Sequence, residues 1–155
     1  MTVGWGMDVH RFGADPPVLL AGVPADLERG LVGTSDADVV AHAVADALLG
    51  AAALGDLGSL FPSSDPRWSG ADSMELLRGV VDRFREEGRR VTHLDVTIVA
   101  ETVRVAPLRE SIRTALAGAL QMDPRAVSVK ATTTDGLGFL GRDEGVAAVA
   151  VVTAT

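Results

Sequence analysis

Ser35-Asp36-Ala37-Asp38 carries the side chains of a helix N-cap and an acidic first turn, and the alanine- and leucine-rich sequence behind it runs to Leu54. That run predicts a helix starting at Ser35, and the stretches around it have a different period. Residues 3–12 alternate loosely and end in Gly13-Ala14-Asp15-Pro16-Pro17, which reads as a strand and a loop. Residues 18–24 read as another short strand with a turn, and residues 55–66 as a long loop rich in Gly, Pro, Ser and Asp. Asp72 or Ser73 caps a second helix, with Leu76, Leu77, Val80, Val81 and Phe84 on one face. Residues 91–100 and 127–131 read as strands. Between them Pro107 opens a helix that aligns Leu108, Ile112, Leu116 and Leu120. Residues 132–142 form a polar, glycine-rich loop, and residues 146–152 a last strand apolar enough to be central. Interleaved strands and helices predict an α+β fold, a two-layer α/β sandwich with a mixed sheet of about four main strands against helices. At 155 residues and 47% apolar, without repeats or linkers, one domain over 1–155 is expected.

Composition removes several kinds of chemistry. With no cysteine, disulfide scaffolds, iron–sulfur clusters and thiol nucleophiles are excluded, and any metal must be held by His and carboxylate. No run approaches the roughly eighteen apolar residues of a membrane helix. Met1-Thr2-Val3-Gly4-Trp5 shows no feature of an export signal, so a cytoplasmic protein without a membrane partner is expected. Lys+Arg 14 against Asp+Glu 21 gives a net charge of -7, the wrong sign for holding nucleic acid through overall charge.

Only three histidines exist, His10, His42 and His93. Asp8 and His10 are i, i+2 on a predicted strand, so their side chains leave the same face and can converge on one small ion. Asp38, His42 and Asp46 recur every four residues on the predicted helix. One carboxylate and two imidazoles would leave a fourth tetrahedral position open, the mark of a catalytic site. The spacing alone leaves an ordinary structural histidine equally open. His93, in a predicted strand start, reads as a surface or edge residue. From Lys130 to Arg142 three threonines, several glycines and two flanking cations supply groups that bind phosphate oxygens, and Asp135 among them suits a hard cation. A turn without function has the same composition.

Several runs together carry more information. GMDVHRF at 6–12, GTSDADVVAHA at 33–43, DALLGAAALGDLG at 46–58, FP at 61–62, DP at 65–66, GADS at 70–73 and VKATTTDGLGF at 129–139, with Gly141-Arg142 and Glu144-Gly145, resemble the 2-C-methyl-D-erythritol 2,4-cyclodiphosphate synthase family in register along essentially the whole chain. The resemblance implies conversion of 4-diphosphocytidyl-2-C-methyl-D-erythritol 2-phosphate to the cyclic diphosphate with release of CMP, in the non-mevalonate isoprenoid pathway. It implies Zn2+ on Asp8, His10 and His42, and a second divalent ion, Mg2+ or Mn2+, carried at Asp135. No protein nucleophile is needed, because the substrate's own 2-phosphate attacks. Thr132 and Thr133 would bind and polarise the diphosphate beside Thr134. Asp56, Leu57, Gly58, Phe61 and Asp65 would line the erythritol side. Ala100, Arg104, Val105, Ala106 and Ala131 would hold the cytidine. A homotrimer with sites between subunits is implied, with Phe139 and Arg142 facing its axis.

Three positions depart from the family, the least consequential being Val103, which stands where Pro is common. Thr34 stands where the family has His, which leaves a hydroxyl without a cationic form, or the amides of Thr34 and Ser35 at the expected helix start, to align the phosphates. Asp135 stands where Glu is usual and is one methylene shorter. A zinc-dependent phosphohydrolase and a catalytically weak nucleotide-binding paralogue are the competing functions.

Overall fold

The computed structural model describes residues 1–155. Its long first strand, β1 (Thr2–Ala14), runs antiparallel to the last, β7 (Gly145–Ala154), with Thr2 opposite Ala154 and Arg11 opposite Gly145. On the other side of β7 lies β5 (Val91–Val99), also antiparallel, and beyond it β6 (Val127–Thr132), parallel to β5. The parallel pair needs a crossover, which α4 (Arg109–Leu120) supplies. A two-residue edge strand, β4 (Gly30–Leu31), completes a mixed five-stranded sheet in the order β4-β1-β7-β5-β6. Four main strands were expected, and the fifth is this short edge. The last strand is central: Val146, Ala148, Ala150, Val152 and Ala154 are all buried.

The helices cover one face of the sheet. α1 (Val39–Ala52) lies across β1 and β7, α3 (Ser73–Glu86) packs on α1, and α4 lies over β6 and against α3. On β1, Gly4 and Gly6 face this layer. A Cβ on Gly6 would fall 2.1 Å from the Ala43 carbonyl oxygen, and one on Gly4 1.8 Å from that of Ala47. Only hydrogen at both positions lets the helix backbone rest directly on the strand. The opposite face of the sheet is uncovered, leaving Val3, Trp5 and Met7 64%, 60% and 45% exposed.

One helix boundary differs from expectation in an informative way. α1 begins at Val39 instead of Ser35, because Asp38 is the N-cap and accepts the amides of Val40 and Ala41. Residues 18–24 form the start of a separate hairpin, β2 (Val18–Leu20) with β3 (Val23–Asp26). The expected loop at 55–66 contains α2 (Leu57–Leu60), capped by Asp56, and leads into a 3-10 turn, Pro66–Trp68, capped by Asp65. The helix opened by Pro107 starts as a 3-10 turn before α4, and the glycine-rich loop includes α5 (Gly138–Gly141).

Gly6→Ala should destabilise the protein by about 3 kcal/mol, because strand and helix must separate to admit one methyl group. Urea unfolding monitored by circular dichroism measures it; a loss below about 1 kcal/mol would show that the contact can yield.

Candidate active site

Asp8 and His10 project from the same side of β1 toward α1, where His42 meets them. Asp8 Oδ2 lies 3.0 Å from His10 Nε2 and 2.9 Å from His42 Nδ1, and the two imidazole nitrogens are 3.4 Å apart. Ligands bound tetrahedrally at ~2.0–2.1 Å stand on the order of 3.3 Å from one another, so the three atoms have nearly the spacing that zinc imposes. The rings are turned accordingly. His10 Nδ1 donates to the Val32 carbonyl at 2.7 Å, which leaves the Nε2 lone pair for the site. Burial acts to raise the Asp8 carboxyl, but in the metal-free site a proton carried on the His10 or His42 nitrogen that faces it supplies hydrogen bonds and charge that hold it well below the usual carboxylate range. Burial acts to lower His10, and the Asp8 carboxylate outweighs it and raises it. The residues fit a divalent cation and are compatible with Zn2+.

The four-residue spacing Asp38, His42, Asp46 divides by role. Asp38 is fully buried away from the metal ligands and accepts four amides, those of Ala21, Gly22, Val40 and Ala41. Burial pushes its carboxyl up to about 6, while the amides of Gly22, Ala41 and Ala21 pull the other way. It is a structural cap that ties the β2–β3 hairpin to α1. Asp46 stays at the site wall and accepts the Leu57 amide at 2.7 Å, which anchors α2 beside it. His93 is exposed on β5, away from the other two histidines.

The metal-ligand cluster opens into a cavity of about 480 Å³ whose walls include Thr34, Ser35, Leu57, Gly58 and Phe61. Asp56 and Asp65 fall outside that wall, the first holding Ser59 and the second Arg67. Ala100, Arg104, Val105, Ala106, Ala131, Thr132 and Thr133 line a different cavity of about 460 Å³ at the end of β5 and β6. Thr134 donates to the Leu137 carbonyl, and Asp135 takes a left-handed conformation, φ 56°, with its amide on the Thr133 hydroxyl. Phe139 lines a small cleft with His10, and Arg142 pairs with Glu144 at 2.8 Å. Trp68, stacked edge-on against Phe61 at 4.9 Å, is a site neighbour that the sequence does not single out, and Ser73, in contact with His42, is one that it offers only as a helix cap and in the GADS run. An aromatic followed by a second aromatic in a Pro- and Ser-rich loop is the only signal Trp68 offers.

An α+β fold with an Asp-His-His ligand set open to a cavity defines a candidate metal-assisted enzyme. Over residues 1–155 the chain matches the YgbB family, and it belongs to that family. It is 53% identical over 153 residues to the 2-C-methyl-D-erythritol 2,4-cyclodiphosphate synthase of Salinibacter ruber, covering 99% of this chain and 98% of that protein. The bifunctional IspDF from Campylobacter jejuni superposes with a TM-score of 0.96 at 42% identity, across 99% of this chain and 42% of that one. A 2C-methyl-D-erythritol-2,4-cyclodiphosphate synthase in its CDP-bound form superposes with a TM-score of 0.88 at 30% identity, across 99% of both chains.

Zn2+ at a hundredfold excess over its Kd should stabilise the metal-free protein by about 2.7 kcal/mol, a Tm rise on the order of 5–10 °C. Differential scanning calorimetry should show the rise reversed by chelator, abolished in His42→Ala and retained in His93→Ala.

Proposed function

We propose that the chain converts 4-diphosphocytidyl-2-C-methyl-D-erythritol 2-phosphate to 2-C-methyl-D-erythritol 2,4-cyclodiphosphate and CMP, as its relatives' names indicate. The observation that carries the reading is the Asp8, His10, His42 set opening into the larger cavity, in a chain alike along its whole length to synthases of that name. Zn2+ on these three residues, together with Mg2+ or Mn2+ at Asp135, would neutralise phosphate charge and hold the reacting phosphorus electrophilic. The chain's own work is positioning. Thr132 and Thr133 bind the diphosphate, with Thr134 bracing the turn on which Asp135 stands. Leu57, Gly58 and Phe61 enclose the erythritol, and the 2-phosphate attacks intramolecularly with CMP as leaving group.

The two cavities lie apart on one chain, and a substrate that needs both must bridge two copies. We therefore place the active form as a homotrimer whose uncovered sheet face, with Val3, Trp5 and Met7, is buried between subunits. Phe139 and Arg142 then face its axis. No helix is long and apolar enough to cross a membrane, and we assign the protein to the cytoplasm as a small-molecule enzyme without a nucleic-acid partner.

Incubation of the purified, zinc- and magnesium-loaded protein with the cytidyl substrate, read by mass spectrometry, tests the reaction. Equal amounts of CMP and cyclic diphosphate are expected. Release of inorganic phosphate would identify a phosphohydrolase, and tight binding without turnover a nucleotide-binding paralogue. Light scattering should give three times the 16.0 kDa chain mass.

Thr34 lies ahead of the Asp38 N-cap, so a helix dipole does not act through its amide, and its carbonyl is engaged by the Gly70 amide at 2.7 Å. What remains is its side chain at the cavity wall. Thr34→Ala should therefore change kcat only a few-fold, while Thr34→His should raise it about tenfold, equivalent to one charge-assisted hydrogen bond of ~1.4 kcal/mol in the transition state. Steady-state kinetics distinguish the two roles; a hundredfold loss in Thr34→Ala would give the hydroxyl a direct catalytic part.

A further inference from the structure

We propose that Asp36 and Ser73 are a positioning pair that fixes which ring nitrogen of His42 faces the metal centre. The inference rests on the reading that Asp8, His10 and His42 hold a divalent cation.

The Ser73 side chain is enclosed at the start of α3, with the residue 1% exposed. It is not needed as the helix cap, since Asp72 accepts the amides of Met74 and Glu75. Its hydroxyl instead touches three groups: an Asp36 carboxylate oxygen in a short contact, His42 Nε2 at 2.9 Å and Ser35 Oγ at 3.0 Å. A hydroxyl has one proton to donate, and a carboxylate can only accept. The Ser73 proton therefore goes to Asp36, and toward His42 the serine oxygen can only accept. With the Ser35 proton given to Ser73, Nε2 of His42 carries the ring hydrogen and shares it between Ser73 Oγ and Ser35 Oγ, the latter 3.1 Å away, which leaves Nδ1 with a lone pair directed at Asp8, 2.9 Å away. Ser35 fits the same count: its oxygen takes the Ala37 amide and faces the Nε2 hydrogen at 3.1 Å, and its proton goes to Ser73.

Asp36 is itself held in place. One oxygen accepts the Asp38 amide at 3.2 Å, the other the Ser73 amide at 3.1 Å, and its own amide donates to the Ala71 carbonyl at 3.0 Å. The direction of the chain is thus set by a fixed acceptor at its far end. A carboxylate, a hydroxyl and an imidazole in series place the histidine's metal-binding nitrogen, the role that outer partners of metal-bound histidines commonly fill. Asp36 and Ser73 reach neither the cation nor the substrate and act only through His42.

Two variants separate this role from a merely structural one. Ser73→Ala removes the nearer acceptor for Nε2–H and leaves only Ser35 Oγ, whose proton, no longer taken by Ser73, can turn to the ring nitrogen. Asp36→Asn can donate to Ser73, which turns the serine proton toward His42 and favours the ring form with hydrogen on Nδ1. Two readouts apply: Zn2+ affinity by competition with a chromophoric chelator, and the His42 tautomer from ¹⁵N NMR of the metal-free protein. We expect about tenfold weaker Zn2+ binding in both variants, loss of the pure Nε2–H form, an unchanged far-ultraviolet circular dichroism spectrum, and recovery of both readouts in Ser73→Thr. Affinity within twofold of wild type, or an unaltered tautomer in both variants, overturns the proposal. Failure of the wild-type protein to bind Zn2+ overturns the metal reading instead, and the tautomer measurement still judges the hydrogen-bond chain. Should Asp36→Asn not fold, Ser73→Ala and Ser73→Thr decide the proposal between them.

Discussion

Everything at the candidate site depends on how closely α1 approaches β1. Gly4 and Gly6 present bare backbone to the carbonyl groups of Ala43 and Ala47, and no other residue fits there. The approach sets the gap between His42, carried by the helix, and Asp8 with His10, carried by the strand two and four residues past Gly6. Three ligand atoms within 3.4 Å are thereby contributed by two regular elements whose separation is fixed by hard contact. A loop-borne set would leave that separation to side-chain freedom.

With both rings neutral and their lone pairs turned inward, such an arrangement is electrostatically unfavourable unless a proton or a metal cation stands among the three ligand atoms. His10 Nε2 and His42 Nδ1 both face the Asp8 carboxylate, with Val32 and Ser73 occupying their other nitrogens. The lone pairs converge because the Val32 carbonyl and the Ser73 hydroxyl hold the opposite ring nitrogens, so attraction to a divalent ion is built in before it binds. The acidic residues nearby are kept from competing for it: Asp38 is saturated with amides, and Asp46 faces the Leu57 amide.

Local rules made most of the architecture readable. The apolar run at 146–152 demanded a central strand, and the i, i+2 pair Asp8 and His10 required one strand face. What escaped was long-range or competed with a local rule. Several candidate cap residues crowd positions 35–38, and the sequence cannot say which one the rest of the chain will use; the amides of Ala21 and Gly22 select Asp38. Ser73 reads as a helix cap until Asp72 takes that position, and its meeting with His42, 31 residues away, has no local signature. Gly4 and Gly6 look like a weak strand, because the reason for their small size lies on another element. The division of the cytidine and metal residues between two cavities follows from the sheet order, which places β1 and β6 on different sides of the central strands.

That sheet order also governs when the protein can exist during its own synthesis. The strand that joins β1 to β5 is the last of the seven strands to be synthesised, since β7 spans Gly145–Ala154. Until it emerges, β1 and the β5–β6 pair each carry an open apolar edge with no partner in the growing chain. The metal ligands and α1 are made earlier but cannot be clamped by a completed sheet until β7 follows, so the decisive step of folding waits for that strand. A ribosome stalled before β7 would expose a strand edge suited to aggregation, which makes the final strand of the sheet the point at which quality control can tell finished chains from unfinished ones.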